Sequence, residues 1–305
     1  MEFLRYRVAQ DRYRLGVRTP EGLYDLAGCY SRYREQGSDA IPGIARAFAR
    51  GSLRALLERP GVSAFLEAVR LSGAHCRPAV LNEDAVSIGP PLHDPGRFIG
   101  VGLNYRCHAR EMGQPVPSEP PLFAKWANAI SGPRDDVILP ANSQAVDYEI
   151  ELGVVMGRRA SCVSVNDALD HVFGYTVIND VSARDLQFRT SQWLAGKIAD
   201  GFAPMGPAVV ERDDIGPSQG LTLETWVNGD LRQHGHTSDM VYDVPALVSY
   251  LSHLITLEPG DVIATGTPAG VGMSRKPPRY LNSGDVVRMR IAGVGTIENR
   301  FRAPE

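Results

Sequence analysis

The sequence predicts a β-rich α+β protein, and three observations carry that expectation: short apolar runs separated by glycine from Phe98 onward, few segments of helical spacing there, and an opening unit in which strands precede amphipathic helices. The opening strands are read around Leu4 to Val8, Arg14 to Arg18 and Leu23 to Leu26, with Thr19-Pro20-Glu21-Gly22 as the turn between the last two. Ile44, Phe48, Leu53, Leu56 and Leu57, then Val62, Phe65, Leu66 and Val69, recur at helical spacing, and Arg59-Pro60-Gly61 separates the two helices. The Pro- and Gly-rich GPPLHDPGRF closes this unit, which places a domain boundary near residues 90 to 96: a small α/β domain over 1–92 and a β-rich domain over 93–305.

Beyond the boundary, FIGVGLNY, VDYEIELGVVMG, HVFGYTVIND, MGPAVV, LTLETWVNGDLRQ, GDVIATGTPAGVG and GDVVRMRIAGVGTIENRF read as strands. Asn228-Gly229 marks a hairpin, because both residues tolerate positive φ. The clearest helix starts after Asp243 as N-cap, with Pro245 just inside, and runs to about Leu254. A doubly wound βαβ rhythm, a GxGxxG helix start and a P-loop ending are all missing, which excludes the common nucleotide folds.

With 305 residues, 43% of them hydrophobic, the chain can bury a large core. A net charge of -3 without a basic cluster excludes nucleic acid and anionic membranes as expected partners. The first residues carry scattered charge and no apolar run, so a cytoplasmic location is expected. Cys29, Cys76, Cys107 and Cys162 lack paired spacing and are read as reduced.

Chemistry concentrates in a few places. Asp147, Glu149 and Glu151 alternate along an apparent strand, so the three carboxylates project from one face and need a cation or solvent to neutralise them; the alternative is an exposed acidic edge strand. Such hard oxygen ligands suit Mg²⁺, Mn²⁺ or Ca²⁺. Asp180 closes the apolar strand Tyr175 to Ile178, as a ligand or as a helix N-cap, and Arg184 and Gln187 share a face if the following segment is helical. His108 and Glu111, spaced i, i+3, form a general-base pair or an ordinary surface pair. Lys197 reads as a loop lysine, and the glycines around Thr267 in TGTPAGVG either cradle an anion or make a plain turn.

In their order, NYxxHxxE, DYEIELGVVMG, NDVSARDLQ, a following Gly-Lys and GDVIATGTPAGVG resemble the fumarylacetoacetate hydrolase family, from about Phe98 to Phe301. The resemblance implies a mixed β-roll behind a smaller N-terminal domain, usually in a homodimer. It implies Glu149, Glu151 and Asp180 as ligands of Mg²⁺ or another divalent ion, and His108 with Glu111 as the water-activating pair. It further implies Lys197 as an oxyanion or proton-transfer lysine, and Arg184, Gln187 and Thr267 as substrate contacts. Val101 stands where animal tyrosine-degradation members carry a further acidic ligand, so a site of three carboxylates and waters is expected. The lysine is followed by Ile198-Ala199-Asp200 where the family commonly has Ser-Phe-Asp. The implied activity is hydrolysis of a carbon–carbon bond in a 2,4-dioxo acid, of acylpyruvate or fumarylacetoacetate type, through a metal-bound pyruvate enolate. Oxaloacetate decarboxylation and hydroxy-dienedioate isomerisation share that enolate, and a metal-stabilised binding protein is the non-enzymatic alternative. Gln187 to Phe202, with Trp193 beside the lysine, is expected to act as a lid.

Overall fold

The computed structural model describes residues 1–71, 78, 80–216, 218 and 220–304. Strands β1 (Glu2–Val8), β2 (Arg14–Thr19) and β3 (Gly22–Asp25) form an antiparallel meander. Helices α1 (Leu26–Glu35), α2 (Ile44–Arg50), α3 (Leu53–Leu57) and α4 (Val62–Leu71) follow. Two details depart from the sequence reading. Leu26 starts a helix instead of ending a strand, because the Asp25 carboxylate caps it by accepting the Gly28 N–H at 2.8 Å. The helix expected from Ile44 through Leu57 divides, because Gly51 takes a left-handed conformation with φ 55° and Ser52 then caps the next turn.

β4 (Val86–Gly89) returns to β1, and the chain enters β5 (Phe98–Val101), α5 (Arg106–Glu111), β6 (Leu122–Ala124), β7 (Ile130–Ser131) and β8 (Val137–Ile138). Next come β9 (Val146–Asp147), β10 (Ile150–Met156), β11 (Val172–Asn179), β12 (Ser182–Ala183), α6 (Arg184–Gln187), β13 (Ala203–Glu211) and α7 (Arg212–Ile215). The hairpin β14 (Thr222–Val227) and β15 (Asp230–His236) turns on Asn228 and Gly229 at φ 52° and 87°, as the dipeptide requires. Then α8 (Val244–Leu254) is capped by Asp243, whose side chain accepts the Ala246 N–H, and β16 (Val262–Ala264), β17 (Val286–Ile291) and β18 (Gly295–Arg302) complete the chain.

An eleven-stranded sheet runs in the order β3-β2-β1-β13-β11-β10-β16-β5-β6, with β4 also on β1 and β7 on β13; a five-stranded sheet runs β15-β14-β17-β18-β8. The opening unit is part of the large sheet, since Phe3 of β1 lies in register with Val209 of β13. One apolar cluster continues from Phe3, Leu26 and Phe65 to Ile150, Val177 and Met289. β10 is paired on both sides, by β11 and β16, and is buried along its whole length, which rules out an exposed acidic edge strand.

Cys107 and Cys162 are free thiols, Cys29 is buried, and Cys76 lies outside the described residues. No helix among the described residues is long and apolar enough to cross a membrane.

Candidate metal centre and active site

The centre forms where two neighbouring strands end. The β10–β11 register sets Glu151 opposite Ile178 and Ile150 opposite Asn179, so the acids flanking these ends converge. Buried carboxylate oxygens of Glu149, Glu151 and Asp180 lie within 4.8 Å of one another. The alternation that puts Asp147 on the same face does not hold. The chain breaks its strand at Tyr148 and Glu149: the Glu149 N–H donates to Asn179 Oδ1 at 3.1 Å, and the Glu149 carbonyl accepts the Asp180 N–H at 2.8 Å. Asp147 therefore turns elsewhere, accepting from Arg184 Nε at 2.9 Å and from the N–H groups of Gly272 and Met273 at 2.7 and 3.0 Å. Asp180 caps no helix, for α6 starts after Ala183 without a side-chain cap.

Three buried cations surround the acids. Lys197 Nζ donates to Glu149 Oε2 at 2.7 Å, Asp180 Oδ2 at 2.6 Å and Ser182 Oγ at 2.7 Å. Arg184 Nη2 donates to Glu149 Oε1 at 2.7 Å and Nη1 to Gln187 Oε1 at 3.0 Å, so the pair does share one face of a helical turn. Lys125 Nζ stands 2.7 Å from Asp180 Oδ1 and donates to the Lys197 carbonyl at 2.7 Å. Sequence reasoning missed Lys125, because an isolated lysine between Ala124 and Trp126 gives no local signal.

These partners split the acids electrostatically. Burial alone would raise the Glu149 carboxyl, but the Arg184 guanidinium and Lys197 ammonium outweigh it and hold that carboxyl below its usual range. Glu151 is pushed well above its usual range by burial and by the charges of Asp180 and Glu149. Burial lowers the Lys125 ammonium, whereas at Lys197 burial is outweighed by Asp180 and Glu149, which raise it.

His108 and Glu111 sit on α5, where His108 Nδ1 lies 3.1 Å from Glu111 Oε2. Glu111 Oε1 accepts the Gly270 N–H at 2.8 Å and the Ser274 hydroxyl. Burial would raise the Glu111 carboxyl, yet the bonds from His108, Ser274 and Gly270 bring it below its usual range. The glycine loop thus does cradle anions, and they are the protein's own: Gly266 N–H donates to Glu151 Oε2 at 2.8 Å. Gly266 has φ 95°, and a Cβ there would lie 2.8 Å from that of Asn104. Thr267 Oγ1 accepts from Gln233 Nε2 at 2.8 Å, and Gln233 Oε1 accepts the Ile150 N–H at 3.1 Å, a buried tie from β15 that the sequence does not announce.

A cavity of about 290 Å³ opens over the acids. His108, Glu149, Glu151, Asp180, Arg184, Gln187, Lys197 and Thr267 line it, and Glu111 stands behind His108. Its remaining wall is largely apolar: Val101, Leu103, Met112, Phe123, Trp193 and Met273. Trp193 and Phe123 pack with ring centroids 6.1 Å apart. A larger cleft of about 660 Å³ beside α4 holds none of these residues.

The residues fit a hard divalent cation. Lys125, Lys197 and Arg184 form ion pairs with Asp180, Glu149 and Asp147, while Glu151 has no ion pair among the described residues, so this buried carboxyl has no counter-ion for its ionised form unless a cation is bound.

Comparison with known proteins agrees with this geometry. Residues 97–302 match the model described as fumarylacetoacetate (FAA) hydrolase C-terminal. The chain is 46% identical over 222 residues to oxaloacetate tautomerase fahd2, mitochondrial, of Xenopus laevis, covering 72% of this chain and 70% of that protein. It superposes on fumarylacetoacetate hydrolase from psychrophilic Exiguobacterium antarcticum with a TM-score of 0.78, 36% identity and 100% of both chains covered. It superposes on maleylpyruvate hydrolase from Sphingobium sp. SYK-6, in complex with manganese(II) ion and pyruvate, with a TM-score of 0.77, 28% identity and 100% of both chains covered.

Proposed function

The chain belongs to the fumarylacetoacetate hydrolase family, and from that premise we propose that it is a divalent-cation-dependent hydrolase that splits a 2,4-dioxo acid of acylpyruvate type into pyruvate and a carboxylic acid. One observation carries the reading: a single cavity is lined by the carboxylate triad and by His108, with Glu111 hydrogen-bonded behind the histidine, and extends along an apolar wall beyond them. Oxaloacetate would leave that wall uncovered, whereas an acyl group would lie against it.

A cation held by Glu149, Glu151 and Asp180, Mg²⁺ or Mn²⁺ by ligand hardness, supplies Lewis acidity to the oxygens of the 2-oxo acid. Glu111 is held in its ionised form, which only accepts hydrogen bonds, so Nδ1 of His108 carries the shared proton and Nε2 remains as the base. His108 takes a proton from water, the hydroxide adds to the distal ketone carbon, and the bond from that carbon to the methylene breaks. The methylene carbon takes the bonding pair and then a proton, giving pyruvate, while the acyl carbon leaves as a carboxylic acid. The Thr267 oxygen already accepts from Gln233, and the Gln187 oxygen from Arg184, which leaves the hydroxyl proton and the amide N–H groups for the substrate. Lys197 has all three protons engaged and is assigned to holding Glu149 and Asp180.

His108→Ala should lower kcat/KM for acylpyruvate cleavage by about 10²- to 10⁴-fold, the range for a general base, while any decarboxylation of oxaloacetate falls much less. Cleavage within a few-fold of wild type would remove the pair from the mechanism. The second reading, keto–enol tautomerisation of oxaloacetate, is favoured by the relative from Xenopus laevis. It needs proton transfer at one carbon and no attacking water, and wild-type protein that interconverts oxaloacetate tautomers but cleaves no acylpyruvate would establish it instead.

A further inference from the structure

A second cavity, of about 370 Å³, adjoins the same stretch of chain: Tyr148 lines it, while the next residue, Glu149, lines the catalytic cavity. Three arginines, Arg232, Arg275 and Arg279, face this second space together with one acid, Asp285. Asp285 is already engaged, its carboxylate accepting from Asn228 Nδ2 at 2.8 Å and from the Asn282 N–H at 2.7 Å. Arg232 pairs with Asp230 at 3.0 Å. Arg275 and Arg279 form no ion pair among the described residues, and Nε of Arg275 is buried without any hydrogen-bond acceptor.

A buried cationic donor lacking an acceptor is costly, and the guanidinium fork matches two oxygens of a carboxylate or phosphate. The walls are held in place independently of any ligand: the Tyr148 hydroxyl donates to the Gly270 carbonyl at 3.1 Å, and the Arg275 N–H donates to the Gly272 carbonyl at 3.3 Å. We propose that this cavity binds a small oxyanion, a carboxylate or a phosphate group, between Arg275 and Arg279 with Arg232 alongside. The site is separate from the catalytic acids, since no residue lines both cavities and Lys125, Lys197 and Arg184 there are already paired with carboxylates.

The test is calorimetric titration of the full chain with inorganic phosphate and, in a second series, with acetate, at physiological ionic strength. Saturable binding of one anion per chain is expected, weakened at least tenfold by Arg275→Met and by Arg279→Met and unchanged by Thr267→Val in the catalytic cavity. Arg279 is exposed, so its variant keeps the test valid if Arg275→Met does not fold. Tighter binding of phosphate or of acetate assigns the group. No saturable binding of either anion, equal affinity in both arginine variants, or a comparable loss in Thr267→Val would overturn the proposal.

Discussion

Glu149 and Glu151 stand two residues apart and carry opposite electrostatics. Glu149 is the shared anion of Arg184 and Lys197, so Glu149→Gln leaves two buried cations short of a partner, a change that costs about 3–5 kcal/mol when a buried pair is broken. Among the described residues Glu151 accepts only the Gly266 N–H, and it repels Asp180 and Glu149, so Glu151→Gln should leave the metal-free fold as stable or more stable. Chemical denaturation of both metal-free variants at neutral pH tests this, and equal losses would contradict the asymmetry. The sign of the pH effect follows. A carboxyl raised in the folded state binds its proton more tightly there than in the unfolded chain, so the metal-free protein loses stability as pH rises above the ordinary carboxylate range toward the raised value. A cation must displace that proton, so affinity for Mg²⁺ or Mn²⁺ should rise with pH through the range in which the raised carboxyl titrates, and binding there should release protons. Calorimetry in two buffers of different ionisation enthalpy measures it; heats independent of buffer would count against a protonated Glu151. The alternating acids were legible in the sequence, but their inequality was not, because it comes from cations at positions 125, 184 and 197 that only the fold assembles.

At the scale of elements, what was legible had local causes. α8 was readable to its ends because Asp243 and Pro245 are capping signals in themselves, and Asp243→Ala should cost about 1 kcal/mol, seen as a lowered denaturation midpoint with an unchanged slope. α1 was missed although Leu26, Cys29, Tyr30 and Tyr33 fall at i, i+3, i+4 and i+7 and pack on the core, because the strand reading ran through Leu26 and left the cap at Asp25 unread. The break between β9 and β10 was equally hidden, for it depends on Asn179, the last residue of β11, and on Asp180 after it. The loop at Gly266 couples backbone to chemistry: Gly266→Ala forces a Cβ against Asn104 in a left-handed conformation and displaces the N–H that holds Glu151. Cation affinity should fall at least tenfold in that variant while α8 and the β14–β15 hairpin remain intact by spectroscopy; unchanged affinity would show that Gly266 does not position Glu151. The segment carrying Trp193 is expected to close over substrate, so oxalate with Mg²⁺ should change the fluorescence of wild type and not of Trp193→Phe; equal responses in both would argue against a lid.

For the whole molecule, the decisive feature is that the first 92 residues and the remainder share one sheet and one core. The sequence places a boundary near residues 90 to 96 from a change of texture. Texture says nothing about pairing, however, and β1 pairs with β13 across some two hundred residues of chain. Phe3 packs on Phe173 with tilted rings whose centroids lie 5.1 Å apart, and Leu4, Tyr6 and Leu23 pack against Ala208 of β13. β13 also pairs with β11, the strand that Asp180 directly follows, so the opening unit braces the buried acidic triad at two strands' remove. Removing residues 1–92 would bare the edge of β13 over Glu2's partner Val210 and Phe3's partner Val209, together with the apolar face beneath α1 to α4. A bare, apolar strand edge is a template for aggregation. We therefore predict that the full chain unfolds in a single transition, with near-ultraviolet dichroism and cation release at the same denaturant concentration, and that a chain starting at His93 is insoluble or binds cation at least tenfold more weakly. Two separate transitions, or a soluble fragment from His93 with full affinity, would show that the catalytic unit folds without its opening strands.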